Sequence, residues 1–259
     1  MAFRILYNLA SDLSTAVITS SSDGTVNTDD NAVDNRVGKK WRTDSDTLEW
    51  IKWDLVVSRA VDAVALLGHN LTSAATVEYE NNATDSWGSP TTSEALAIAT
   101  NADSVVIPRI IHFPVSATKR WHQFTFDDAT NPDGYIQVGR IIFGEYFETT
   151  RDMSDDFRVE ILDPSEGEEK PGEVPVKTEK PRFRRISTSF ELIDQTAVDK
   201  WSAIFDRIGN NKPCLISWTP STRATEDSAY VYLKTPLALA HQFIQNYSIM
   251  RLVWEEKTR

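Results

Sequence analysis

LEWIKWDLVVSRAVDAVALLGHNL, Leu48 to Leu71, carries two hydrophobic rhythms in immediate succession. In its first part Ile51, Trp53, Leu55 and Val57 alternate with Trp50, Lys52 and Asp54, the period of two expected of a strand with one wet face. In VDAVALLG both parities are apolar, which predicts a strand covered on both faces in the middle of a two-sheet sandwich. Gly68 permits a tight turn and Asn70 tolerates unusual backbone angles, so His69 sits where the chain reverses before ATVEYE resumes the alternation. A catalytic histidine needs a nucleophile or a carboxylate held against it, and no motif around a Ser, Cys or Asp supplies one. His69 is therefore read as a loop histidine that bonds the backbone of its turn.

Outward from this stretch, SVVIPRIIHF, RWHQFTF and YIQVGRIIFGEYF repeat the strand pattern, with Asn, Asp, Gly and Pro between them. Many short strands with polar turns predict a sandwich or jelly roll. The whole chain fits that class: 259 residues, 41% hydrophobic and 25% charged, with eight Trp, seven Tyr and eleven Phe to build cores on pleated sheets. A formal net charge of −11 repels phosphate backbones and anionic lipid, so neither nucleic acid nor a membrane surface is an expected partner. No stretch approaches ~18 uninterrupted apolar residues, and MAFRILYNLASDLSTAVITSSS lacks the pattern of a secretory signal. Cys214 stands alone in NKPCLISW, which excludes an intramolecular disulfide and predicts a buried thiol folded in a reducing cytosol.

From Glu145 the composition turns acidic and Pro-containing, and residues 149–180 read as an arm or linker. Two readings stay open for it: a disordered spacer, or an extended arm that orders against a neighbouring subunit, with Phe157, Val159, Ile161 and Leu162 as anchors. Lys180, Arg182, Arg184 and Arg185 close it with a basic patch facing that acidic segment, in the same chain or between subunits. After Pro181, RFRRISTSFELI alternates as a strand. Asp194 is placed to cap a helix, QTAVDKWSAIFDRIG, whose Val198, Trp201, Phe205 and Ile208 share one face and which Gly209 ends. PCLISW, AYVYLK and YSIMRLVWEE are further strands. The expected fold is mainly β: an N-terminal jelly-roll sandwich over 1–148, the arm over 149–180, and a C-terminal α+β split-barrel-like domain with one main helix over 181–259.

No chemical motif stands out. His112, His122 and His241 show no metal-ligand spacing, and the glycines form no phosphate-cradling pattern. Asp23, Asp29, Asp30, Asn31 and Asp34 offer oxygen donors for a hard cation, yet they miss the EF-hand spacing, and such residues populate turns for conformational reasons. Asp127, Asp128 and Asp133 are turn-like before they are a catalytic pair. Neither a catalytic residue nor a cofactor or metal site is assigned, and no enzyme is expected. Trp41, Trp87 and Trp121 sit in or beside turn-like sequence; Trp41 and Trp87 are taken as candidate glycan-contact aromatics, with core packing as the competing role.

The series NAVDNRVGKKWRTDS followed by EWIKWDLVVSRAVDAVALLGHNL resembles the discoidin, or coagulation-factor C-type, domain. The elements that carry the resemblance are Asp34, Trp41 with Arg42, Asp54 with Leu55, and Val61 to Leu67, with YIQVGRIIFGEYFE as closing strands. The Gly-His-Asn-Leu ending, together with RRISTSFELIDQTAVDKWSAIFDRIGNNKPCLISW and the closing Trp-Glu-Glu, is similar to a narrower group of bacteriophage tail proteins. That resemblance implies a distal-tail or upper-baseplate component, made in the host cytoplasm and placed in the virion. It would join the tail tube to hub or fibres as a homo-oligomeric ring of six or three chains. The jelly roll comes first here, whereas the usual distal-tail plan has the ring-forming barrel first. The alternative function is a carbohydrate-binding module contacting host-surface glycans.

Overall fold

The computed structural model describes residues 3–24, 26–151, 153–154, 156–168, 176–243 and 246–257. They form two compact units, one built mainly on residues 6–147 with 220–228, the other on the described residues of 3–5, 148–219 and 229–257.

The strands of the first part of the chain are β1 (Arg4–Leu9), β2 (Val17–Ser20), β3 (Trp41–Arg42), β4 (Glu49–Val61), β5 (Ala63–Leu67) and β6 (Thr76–Asn82). They continue as β7 (Thr92–Ala95), β8 (Arg109–His112), β9 (Ala117–Asp127), β10 (Gln137–Val138) and β11 (Arg140–Glu148). A five-stranded sheet in the order β2-β4-β9-β6-β7 faces strands running β1-β11-β5-β8. Period-two alternation places Ile51, Trp53, Phe124, Phe126, Val77 and Tyr79 on the inner face of the first sheet, where they meet Val64, Leu66, Ile141 and Phe143. Trp53 packs edge-on against Phe143 with ring centroids 5.2 Å apart, tying the two layers together. β5 is buried at every position, as expected of a strand with two apolar parities. Gly144 lets β11 pass close to β1: a Cβ there would lie 2.1 Å from the Asn8 carbonyl oxygen.

Val57 departs from its predicted inward place. The β4–β9 register shifts between Asp54 and Arg59, Val56 adopts φ +65°, and both valines are about half exposed. The cause is local, because the Asp54 carboxylate accepts the Val56 N–H at 2.8 Å and turns the chain out of the ladder.

In the second unit, β12 (Arg158–Leu162), a β13 (Glu166–Glu168) and β14 (Val176–Thr178) pair, and β15 (Phe183–Ile193) precede helix α1 (Gln195–Ile208). β16 (Cys214–Ser217), β17 (Ser228–Leu233), β18 (Leu239–Phe243) and β19 (Asn246–Glu256) follow. The strand order is β12-β15-β19-β17-β16, with β18 also on β19. Asp194 caps α1 by accepting the Ala197 N–H at 2.8 Å, and Gly209 closes it at φ +49°. The helix buries Val198, Trp201, Ile204 and Ile208, and Trp201 packs on Phe190 at 5.1 Å; Phe205 is only half-buried, Ile204 taking the inward place. The core is completed by Ile186, Leu252, Trp254 and the buried, unpaired Cys214, whose thiol burial pushes up to about 12.

Two described stretches of the acidic segment pair with β15 of the same chain. Residues 158–162 pair antiparallel with β15, from Arg158 opposite Ser187 to Leu162 opposite Phe183, and Met153 bridges Phe190. Residues 169–175 of the segment lie outside the described ones. The basic cluster is likewise matched within the unit: Arg182 meets Asp163 at 3.0 Å, Arg184 meets Glu256 at 2.6 Å and Arg185 meets Glu255 at 2.7 Å. The Lys180 N–H donates to Ser165 Oγ at 3.1 Å. Adjacent antiparallel strands set these opposite charges face to face, so the three arginines do not form a free positive surface.

Candidate functional site

The outward-pointing residues of the five-stranded sheet form three rows, fixed by register. Trp50, Thr125 and Glu78 make one; Thr19, Lys52, Gln123 and Glu80 the next; Val17, Asp54, Trp121 and Asn82 the third. The alternation that buries Ile51 and Trp53 therefore turns Trp50 and Lys52 out, and the same parity on β9 turns out Trp121.

Lys52 stands between the two indoles, its ammonium 5.0 Å from the Trp50 ring centroid and 5.7 Å from that of Trp121. It is pinned there by Asp85, whose two carboxylate oxygens lie 2.9 and 2.8 Å from Nζ. Trp87 joins the same point, donating Nε1–H to Asp85 at 2.7 Å. The Lys52 contact holds the Asp85 carboxyl below its ordinary range. Arg120 lies 5.6 Å from the Trp121 ring and grips Asp54 through two contacts of 2.5 and 2.6 Å, which lower the Asp54 carboxyl likewise. Gln123 donates to Glu80 at 3.1 Å. Burial, and secondly the charge of Glu78, push the Glu80 carboxyl up.

At the Trp50 end the sheet opens into a cavity of about 280 Å³, lined by Leu48, Trp50, Thr76, Glu78, Thr125 and Asp127. Leu48 stands there with φ +53° and 81% of its surface exposed. Half-buried indoles beside fixed carboxylates, amides and a hydroxyl are the parts needed to hold an amphipathic ring: apolar faces stack on it, and planar polar groups take its hydroxyls.

The sequence candidates fare differently. Trp87 belongs to this surface. Trp41 does not: it is 0% exposed, packs on Phe126 at 5.8 Å and donates Nε1–H to Asp23 at 3.1 Å. A ring without exposed surface has no face to offer a sugar, so Trp41 is corrected to a core residue. Trp50 was read only as the wet parity of a strand. Its signal was the pair Trp50 and Lys52 on that parity, together with Trp121 on a strand of matching pattern.

His69 occupies the predicted turn, and the loop around it is stitched by Asn70, which donates to Asp133 at 2.9 Å, and by Asp128, which accepts from Thr72. The histidine itself does not bond that turn well. It is buried, neither ring nitrogen has a well-formed hydrogen bond, and burial lowers it to about 4, with the Arg109 backbone opposing only in part. His112 pairs with Glu94 at 2.8 Å, His122 is in the core, and the His241 side chain lies outside the described residues. In the acidic loop Asp34 is taken by Arg36 and Lys39, and the Asn31 amide donates to the Val26 and Lys40 carbonyls. Among the described residues no group of three or more His, Cys, Asp or Glu side chains is placed to hold a metal ion. No helix among them is long and apolar enough to cross a membrane.

No family model and no curated protein matches this sequence. Among solved structures, the chain is similar to module CBM32-3 of a family 31 glycoside hydrolase from Clostridium perfringens, with TM-score 0.43 and 14% identity over 54% of this chain and 96% of that one. It is similar to the lectin domain of lectinolysin complexed with Lewis B antigen, with TM-score 0.39 and 12% identity over 50% and 92%. A third is chitosan-binding module 1 of a chitosanase/glucanase from Paenibacillus sp. IK-5, with TM-score 0.38 and 17% identity over 53% and 98%.

Proposed function

We propose that the protein is a non-catalytic carbohydrate-binding component that holds saccharides on the outer face of its five-stranded sheet. The observation that carries this reading is the strip Trp50, Lys52 and Trp121 with Asp85 at its side and the cavity at its end. Titration calorimetry against a panel of neutral, amino and acidic oligosaccharides tests it. Trp50→Ala and Trp121→Ala are each expected to weaken binding about tenfold, the worth of one stacking face. Trp41→Phe, a core change, should leave affinity alone. Silence across the panel from a correctly folded protein would remove the reading.

A second reading places this module on a larger assembly, the tail tip of a bacteriophage, where the chain would join tube to hub or fibres in a ring and reach the virion from the host cytoplasm. It draws on the sequence resemblance and on one feature of the second unit. β12 is the outermost strand of its sheet, and Ile161 on it is 73% exposed. An apolar edge of that kind fits strand addition by a neighbouring chain. The two readings are compatible in one virion protein.

A further inference from the structure

At its Trp50 end the outer sheet face keeps a charge of one sign once the ion pairs of the strip are cancelled. Lys52 is closed on Asp85 and Arg120 on Asp54, which removes both cations of the strip. Glu78, Glu80 and Asp127 remain. Glu78 and Glu80 are adjacent outward positions of β6, and Asp127 lies at the end of β9 on the rim of the cavity. Among the described residues none of the three stands in an ion pair; Glu80 has only the amide of Gln123, and Glu78 a 3.5 Å contact from Ser93 Oγ.

The shape of the cavity and its charge constrain the occupant together. The Trp50 indole and the exposed Leu48 side chain make apolar walls; Glu78 and Asp127 supply charge beside them. A neutral ring seated there would shield two carboxylates from water without replacing their hydrogen bonds, at a cost for each. A uronate, sulfate or phosphate group would add like-charge repulsion. An ammonium group on the ring would meet both carboxylates while its carbon skeleton stacks on the indole. Lys52 already shows that this face holds a cation against Trp50, at 5.0 Å.

We propose that this groove selects saccharides bearing a protonated amino group, with the ammonium set between Glu78 and Asp127 and the sugar ring on Trp50. The inference rests on the carbohydrate-binding reading and narrows it to amino sugars. Glu80, raised by burial and by Glu78, adds charge to the same face as the pH rises through its titration.

The test uses the full chain and three oligosaccharides of equal length: a glucosamine oligomer, its fully N-acetylated counterpart, and a uronate oligomer. Calorimetry is run at fixed ionic strength and a pH that keeps the amine protonated. The glucosamine oligomer is expected to bind about fivefold more tightly than the acetylated one, the scale of two exposed charge pairs, and the uronate not measurably. Glu78→Gln and Asp127→Asn should each shrink that preference, with thermal melting confirming the fold. Asp206→Asn on α1 makes the same change of net charge elsewhere and should preserve it. Equal binding of the amino and acetylated oligomers, or a preference that survives both groove variants, overturns the amino-sugar inference and leaves carbohydrate binding standing. Binding of none of the three overturns both.

Discussion

His122 shows how a polar side chain is made into core. Its ring lies parallel to that of Tyr79 at 6.0 Å, and Nε2 lies 3.2 Å from the Lys119 carbonyl. A carbonyl only accepts, so Nε2 carries the proton and Nδ1 accepts the Tyr79 hydroxyl at 2.8 Å. Both nitrogens are satisfied only in the neutral ring, and burial lowers the group to about 4. The sign follows: the unfolded chain binds the proton from about pH 6.5 downward, while the folded one resists to about 4. Stability held above about 6.5 is therefore lost as the pH falls toward 4, and His69 adds in the same direction. Urea unfolding at intervals from pH 7.5 to 4 should show this decline, with a shallower slope in His122→Phe. The contrast between Trp41 and Trp50 marks what was legible at this scale. Trp50 lies in a strand whose alternation tells which face it takes. Trp41 lies in a strand of two residues, too short for any period, and its burial is set by the distant Phe126.

Among the elements, α1 was readable almost to the residue, because its cap, its apolar stripe and its terminating glycine are all local signals. Asp194→Ala should cost about 1 kcal/mol, the usual worth of an N-cap, measured as a shift in the denaturant midpoint at unchanged m-value. β4 was legible as a strand but not as a shaped one. The positive φ of Leu48, just before it, and of Val56, at its mid-strand register shift, breaks the alternation in a way that the period of two does not encode. β18 was missed because its pairing with β19 leaves no clear alternation in LALAHQF. The acidic segment read as a linker for a related reason: β12 has charges at Arg158 and Glu160, and its place at the sheet edge is decided by β15. The groove was hidden for the same reason, since its lining comes from β4, β6 and β9, which are separated in sequence.

For the molecule as a whole, the β class was visible in composition and rhythm, whereas assembly depends on surfaces the pattern does not display. If β12 receives a neighbouring strand, light scattering of the full chain should return a discrete oligomer, and Ile161→Lys should reduce it to a single chain without a change in far-ultraviolet dichroism. A monomer at every concentration would count against strand addition at β12.

Cys214 has a use at this scale. It is buried in β16, and its thiol is held protonated by that burial. A thiol-directed reagent will therefore wait for the surrounding structure to open, and its labelling rate is a clock for that opening. The clock reads the opening of the structure around β16, a part of the chain that no other free thiol reports on among the described residues.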